Sequence, residues 1–323
     1  MTPSTSTKAS QTPLAKDVMS GLTENPKSLP SKYFYDAEGD RLFQEIMHMP
    51  EYYLTDAEYE IMDTHQSTIL DTIGYDTFDL VELGAGDGYK TKVLLRYLVE
   101  KGTDVRYCPV DISRNVLLEL ENSLKNDLPE LAFHCMHGDY FDVLEELTYR
   151  SETPKVILFM GANIGNMARK EAQSFLARIR ETMSPRDYLI VGFDLKKDPE
   201  VILRAYDDPA GKTAAFNLNL LTRLNRELGA NFELDAFRHW ETYDPLSGAT
   251  RSYLVSKRNQ TVTFEALKWS VHFAAWEAIS VELSQKYSVA GIHELAAAAG
   301  LSPIRHLHDQ RKYFVDTIFK KKE

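Results

Sequence analysis

The chain has 323 residues, 43% of them hydrophobic, which is enough for a substantial core in one large domain or two. Its formal net charge is −11, so no basic face advertises nucleic acid or an anionic membrane. No apolar run is long enough to cross a bilayer, and the N-terminus lacks the hydrophobic segment of a secretory signal.

In chain order, residues 1–13 read as a disordered lead. The stretch up to about 60 lacks any strand–helix rhythm. An apolar strand over 78–83 then runs into the glycine-rich turn Gly84-Ala85-Gly86-Asp87-Gly88, and 89–101 reads as a helix. Glycines there let the backbone turn sharply and approach a ligand with no Cβ in the way. The spacing is Gly-x-Gly-x-Gly rather than the Gly-x-Gly-x-x-Gly of a dinucleotide site, and Glu82 precedes the first glycine. A second strand, 105–111, ends on Asp111, placed to accept from a ribose diol. The third, 131–137, is followed by Gly138-Asp139-Tyr140, an acid and a ring that suit a purine base. A fourth, 155–160, enters Gly161-Ala162-Asn163-Ile164-Gly165-Asn166, and a fifth, 188–194, again ends on an acid, Asp194. Helices fill 115–125 and 170–183. Each such acid could instead cap the helix that follows it. Cys108 and Cys135 fall in neighbouring strands and read as small core residues of a reduced, cytoplasmic protein without disulfide or metal site.

Alternating strands and helices with polar residues at the strand ends predict an α/β fold with an open parallel sheet. After Asp194 the alternation breaks. A short helix at 199–206, a longer one at 216–228, and strand-like runs at 237–243, 250–256, 260–264 and 267–273 predict antiparallel material. A helix at 293–300 and two strands, 302–308 and 313–319, restore the pattern. The expected organisation is an insertion: 14–60 plus 197–286 as a substrate-binding α+β domain, and 61–196 plus 287–323 as the nucleotide-binding domain.

Strand, acid and glycine turn together look like the nucleotide-cradling motif of S-adenosylmethionine (SAM) methyltransferases, whose Rossmann-like class I sheet closes with a similar helix and terminal hairpin. Further blocks narrow the resemblance: Tyr33-Phe34-Tyr35-Asp36, Pro50-Glu51-Tyr52-Tyr53, the 161–166 run, Arg204-Ala205-Tyr206-Asp207-Asp208-Pro209, Phe216-Asn217, 225–228, Glu282-Leu283-Ser284 and Lys286-Tyr287. From Leu29 onward the chain resembles the SAM-dependent histidine Nα-methyltransferases of ergothioneine biosynthesis. The resemblance implies SAM as cofactor, held by Gly84, Gly86, Lys90, Asp111, Asp139 and Tyr140. It implies a small amino-acid substrate held by Tyr52, Asn166, Tyr206, Glu282, Leu283 and Ser284, with Tyr35 and Asn166 nearest the chemistry. No metal and no obligate protein partner are expected, and a monomer is expected. At Ser252 the family often carries a bulkier methionine.

Glu282 and Ser284 are two apart, so an extended segment would point both into one pocket. A carboxylate and a hydroxyl can address the two nitrogens of an imidazole, one accepting and one donating. The expected reaction is three methyl transfers to the α-amine of L-histidine, giving hercynine, with Asn166 and Tyr206 anchoring the carboxylate. A rival reading is the same chemistry on tryptophan or a derivative, for which Ser252 would make room. Indole, however, has no second ring nitrogen for the serine. Two more distant readings are a nicotinamide oxidoreductase, against which the glycine spacing speaks, and a non-catalytic SAM-binding module.

Overall fold

The computed structural model describes residues 12–150 and 152–322. In chain order its strands are β1 (Lys27–Ser28), β2 (Thr77–Leu83), β3 (Asp104–Asp111), β4 (Ala132–Phe133), β5 (Met136–His137), β6 (Lys155–Phe159) and β7 (Tyr188–Asp194). After these come β8 (Phe237–Asp244), β9 (Ala249–Ser256), β10 (Gln260–Phe264), β11 (Trp269–Phe273), β12 (Ala278–Gln285), β13 (Leu301–His308) and β14 (Phe314–Lys321). The chain divides into two units, one formed by the chain up to Tyr53 with Lys197–Ser284, the other by Leu54–Lys196 with the chain from Gln285 onward.

The second unit is built on a sheet of order β13-β14-β7-β6-β2-β3-β4, with β5 also paired to β3. Pairs from β7 to β5 are parallel, and β14 lies antiparallel to both β7 and β13. β6 and β7 are buried along their whole length, which is why they read as unbroken apolar runs. Val81, Cys108, Ile157 and Val191 join Leu176 of the helix Arg169–Thr182 and Leu295 of the helix Val289–Ala299 in one core. β2 has β3 on one side and β6 on the other, so the chain's order reverses at its carboxyl end. In open α/β sheets that reversal is where ligands bind.

The first unit packs the helix Lys212–Leu228 against a sheet of order β1-β12-β9-β8 and the β10–β11 hairpin. Phe216, Leu220, Leu224 and Leu228 recur every fourth residue, giving that helix one apolar stripe. Asp208 accepts from the Lys212 and Thr213 amides, and Gly229 (φ +61°) ends the helix. Asp36 caps the helix Ala37–Met47 and also accepts from Asn219 and Arg226 of the long helix. Leu14, Val18 and Leu22 of the helix Pro13–Thr23 close the core.

Several expectations need correction. The lead predicted for 1–13 lies outside the described residues up to 11, while Thr12 caps the helix that Pro13 opens. The expected first segment, 14–60, ends too late: Leu54 onward belongs with the parallel sheet, because Glu58 on that stretch bonds Gly161 and Lys90. The inserted segment likewise ends at Ser284, since Lys286 is paired with Asp194 at the end of β7. The third strand is two short pieces, β4 and β5, split around His134 and Cys135. Tyr140 opens a helix, Tyr140–Arg150, that the sequence pattern does not predict, nor does it predict Tyr53–Thr64 and Gln66–Ile73. Of β12 the pattern marks only an extended stretch around 282–284. Glu265–Leu267 is a 3-10 turn, so β11 starts at Trp269 rather than 267.

Lys286 and Asp194 are both fully buried, Nζ to Oδ2 at 2.7 Å. Replacing one partner takes the opposite charge away from a buried group, so Lys286→Met should cost about 3–5 kcal/mol in urea unfolding. A loss below about 1 kcal/mol would mean that the pair is dispensable.

Candidate active site

At the end of β2 the chain turns through Gly84, Gly86 and Gly88 at φ +74°, +56° and +67°. The Gly84 and Ala85 amides both donate to Val110 O of β3, at 2.8 and 3.3 Å, which straps the turn to the sheet. A Cβ on Gly84 would stand 2.7 Å from Tyr140 Oη, whereas one on Gly86 would meet nothing within 4 Å. The turn is thus closed by protein at Gly84 and open at Gly86, a cradle that a ligand can approach.

Asp111 and Asp139 each use Oδ1 to accept a local amide, Ser113 N and Phe141 N at 2.9 Å, and keep Oδ2 for another donor. Tyr140 lies between their fields. Desolvation first, then the negative charges of Asp111 and Asp139, push its phenol up to about 12. It therefore stays protonated and can only present a neutral ring and hydroxyl. Lys90 immediately precedes the helix Thr91–Glu100 and pairs with Glu58. Gly161, at φ +76°, follows β6, and a Cβ there would lie 3.5 Å from Asn163 Nδ2 and 3.6 Å from Lys90 Nζ. The same Asn163 amide nitrogen is 3.9 Å from a Cβ placed on Gly84, so Gly84, Tyr140, Asn163, Gly161 and Lys90 converge. Asn166 ends the single 3-10 turn Asn163–Asn166 and is exposed. That turn is held by close approach: a Cβ on Gly165 would meet Gln285 O at 2.9 Å.

In the other unit, Tyr206 Oη and Ser284 Oγ share a hydrogen bond of 2.9 Å. Ser252 Oγ donates to Glu282 Oε2 at 3.1 Å, from the neighbouring strand β9. Tyr52 meets the Tyr206 ring edge-on at 6.5 Å and Phe43 at 6.1 Å. Tyr35 packs edge-on against Phe43 and Phe216 and keeps 44% of its surface. Its phenol is still raised above the ordinary range, by desolvation first and then by the Glu282 and Asp40 charges, so it is a donor and not a resident base. Leu283, between Glu282 and Ser284, is half-buried and offers only backbone and apolar surface. His239 Nε2 lies 3.0 Å from the Tyr206 carbonyl, and burial lowers its pKa. The neutral ring then donates from Nε2 and fixes the backbone under Tyr206.

Sequence reasoning does not find Glu58, Asn163, His239 or Asp316. Glu58 had a signal: it sits on the stripe Leu54, Ala57, Ile61 and Met62, where an apolar residue belongs. Asp316 interrupts the apolar run Phe314-Val315 to Ile318-Phe319 in the same way. Among the described residues no group of His, Cys, Asp and Glu forms a candidate metal site.

Glu82, just before the turn, is 3% exposed and accepts from Thr91 Oγ1 at 2.6 Å and from Tyr107 Oη. Burial outweighs these donors and raises its pKa to about 7. The folded state holds this proton more tightly than the unfolded one. Its stabilisation is therefore complete below the ordinary carboxyl range and lost as pH rises through about 7. Melting temperature should fall between roughly pH 5 and 8, and Glu82→Gln should flatten that slope. An unchanged slope in the variant would remove Glu82 as its source. Gly84→Ala, which adds strain at φ +74° and a clash with Tyr140, should cost about 1–2 kcal/mol.

Residues 14–321 match a family described as histidine-specific methyltransferase, SAM-dependent. A histidine N-alpha-methyltransferase of Mycobacterium tuberculosis (strain CDC 1551 / Oshkosh) is 37% identical over 297 residues, 92% of this chain and 91% of that protein. One of the same name from Mycolicibacterium smegmatis is 38% identical, covering 89% of this chain and 88% of its own. Ergothioneine biosynthesis protein 1 of Schizosaccharomyces pombe is 34% identical over 72% of this chain and 31% of its own length. The chain belongs to the SAM-dependent, histidine-specific methyltransferases.

Proposed function

We propose that the protein transfers methyl groups from SAM to the α-amine of L-histidine, three times in succession, giving hercynine as the first step of ergothioneine biosynthesis. The observation that carries the choice of histidine is the pair of bonds on β12: Ser284 to Tyr206, and Glu282 to Ser252. Together they present a carboxylate and a hydroxyl two residues apart on one strand.

The residues at the glycine turn fit SAM. Gly86 leaves its backbone open, Asp111 and Asp139 each keep an oxygen for ribose or base donors, and Tyr140 supplies an aromatic face. When bound, SAM supplies a methyl group on a sulfonium, already activated toward displacement by an amine. What remains for the protein is position rather than acid–base power. We assign Glu282 to accept from one ring N–H of histidine and Ser284 to donate to the other nitrogen. Tyr206 Oη and Ser284 Oγ share a hydrogen bond in which either hydroxyl can be the donor. Tyr206 then acts through Ser284, and only the family resemblance assigns Asn166 to the substrate carboxylate. Tyr35 and Tyr52 are left to flank the amine. Their faces attract the growing cation by about 0.5–2 kcal/mol. A free amino acid as substrate, the acidic chain and its free cysteines favour a cytoplasmic enzyme acting without a protein or nucleic-acid partner. No helix among the described residues is long and apolar enough to cross a membrane.

The rival substrate, tryptophan or a derivative, draws on the small side chain of Ser252. That residue is buried and its hydroxyl is spent on orienting Glu282, which favours a ring with two nitrogens.

Incubation with SAM and each standard amino acid should yield histidine bearing one, two and then three added methyl groups by mass. Preference of the unaltered protein for tryptophan would overturn the reading. Glu282→Ala should lower kcat/KM for histidine by about 1.5–3 kcal/mol and narrow its lead over tryptophan and phenylalanine. Ser252→Ala, which removes one donor from the Glu282 carboxylate, should cost about 0.5–1.5 kcal/mol in the same assay. Asp111→Ala should weaken SAM binding in calorimetry by about 1–3 kcal/mol, and an unchanged affinity would exclude it from the cofactor site.

A further inference from the structure

Glu58 lies outside every motif that supports the cofactor reading, yet it is fully buried and joins two strand ends to the glycine turn. The Gly161 N–H donates toward both carboxylate oxygens, at 2.8 and 2.9 Å, and Lys90 Nζ pairs with Oε2. Lys90 immediately precedes the helix that follows the glycine turn, and Gly161 opens the loop that carries Asn163 and Asn166. Gly192 makes the room. A Cβ there would overlap Glu58 Oε1 and reach 3.2 Å from Asp316 Oδ1. Asp316, paired with Gly192 across β14 and β7, is fully buried, and neither of its oxygens has a hydrogen-bond partner.

Two carboxyl groups and one ammonium share this spot, with Glu82 the next charge to face Lys90. Burial first, then repulsion from Glu58, holds the Asp316 carboxyl well above its ordinary range, so it is the neutral acid at neutral pH. Desolvation opposes the Lys90 charge, but Glu58 more than offsets it and raises the Lys90 pKa. Glu58 and Lys90 form the ion pair of this cluster. An ammonium has three donors, and Glu58 uses one. The side chain of Lys90 keeps 23% of its surface, so it is not sealed in with its partner.

We propose that Glu58 is a positioning residue of the cofactor site: it holds Lys90 charged and tied to the Gly161 loop, so that the remaining Lys90 donors receive the carboxylate of the cofactor's amino-acid tail. Asp316 supports the arrangement as an uncharged filler beside Glu58. The inference rests on the reading of the glycine turn as the SAM site.

The test compares two probes by calorimetry: S-adenosylhomocysteine, and 5′-methylthioadenosine, which keeps the nucleoside but has no amino-acid tail. Glu58→Gln preserves an acceptor for Gly161 and removes only the charge. It should weaken S-adenosylhomocysteine at least about 10-fold and change methylthioadenosine by less than about 2-fold. Glu58→Asp should recover part of the loss. Lys90→Met should show the same selective loss, and stands in if Glu58→Gln fails to fold. Asp316→Asn should leave both affinities within about 2-fold, as expected for a group that is already neutral. Equal loss of both probes in the Glu58 and Lys90 variants, or no loss of either, overturns the positioning role. Loss of S-adenosylhomocysteine in Asp316→Asn overturns the neutral assignment. Failure of the unaltered protein to bind either probe would instead refute the cofactor site itself.

Discussion

A parallel strand that ends must turn its chain in a crowded space, and here that turn is made with positive φ. Gly84, Gly86 and Gly88 after β2, and Gly161 after β6, all occupy the left-handed region that side chains resist. Their amides and their missing side chains define what can gather at that edge. Tyr140 Oη comes to Gly84, Asn163 lies between Gly84 and Gly161, and Glu58 reaches the Gly161 amide because Gly192 is bare as well. The polar groups of the proposed cofactor site depend on those few backbone conformations.

Acids at strand ends look alike in a sequence but separate into kinds once their partners are known. Glu82 and Asp194 are sealed and answered from inside, by Thr91 and Tyr107 in one case and Lys286 in the other. Asp111 and Asp139 satisfy one local amide each and hold an oxygen in reserve. Such a half-used carboxylate is what a ligand-binding acid has to be. Asp316 is a third kind, a carboxyl so enclosed that it is tolerated only without charge.

The sheet was legible because its strands are buried on both faces and write themselves as apolar runs ending in glycine or acid. β4 and β5 were not, being two-residue pieces at the sheet's edge. β12 carries the alternation of a half-buried strand, Ile279, Val281 and Leu283 against Ser280, Glu282 and Ser284, and the last two bond to β9 and Tyr206. Within the site, the glycine turn and the strand-end acids followed from local spacing. Tyr206 with Ser284, or Glu58 with Gly161, are contacts across 78 and 103 residues that no spacing encodes. Family resemblance named both residues of the first pair but not their bond, which, like the second pair, shows only in the fold. Glu58 shows the physical reason: a buried charge is out of place on an apolar helix stripe until its distant partner is known.

The pairing of β1 with β12 carries a consequence for how the molecule is made. Lys27 lies opposite Ile279, so the first half of this unit's core waits for chain that emerges 252 residues later. At a synthesis rate of about 5–20 residues per second that delay is roughly 13–50 s. During it the stripe of Leu14, Val18 and Leu22 has no apolar partner from β12. The parallel sheet is no quicker to finish, since β14 must arrive from the far end of the chain to pair with β7. Neither core can close on the ribosome before nearly the whole chain is out. The apolar stripe of the helix Pro13–Thr23 is therefore exposed as nascent chain long before its core can close.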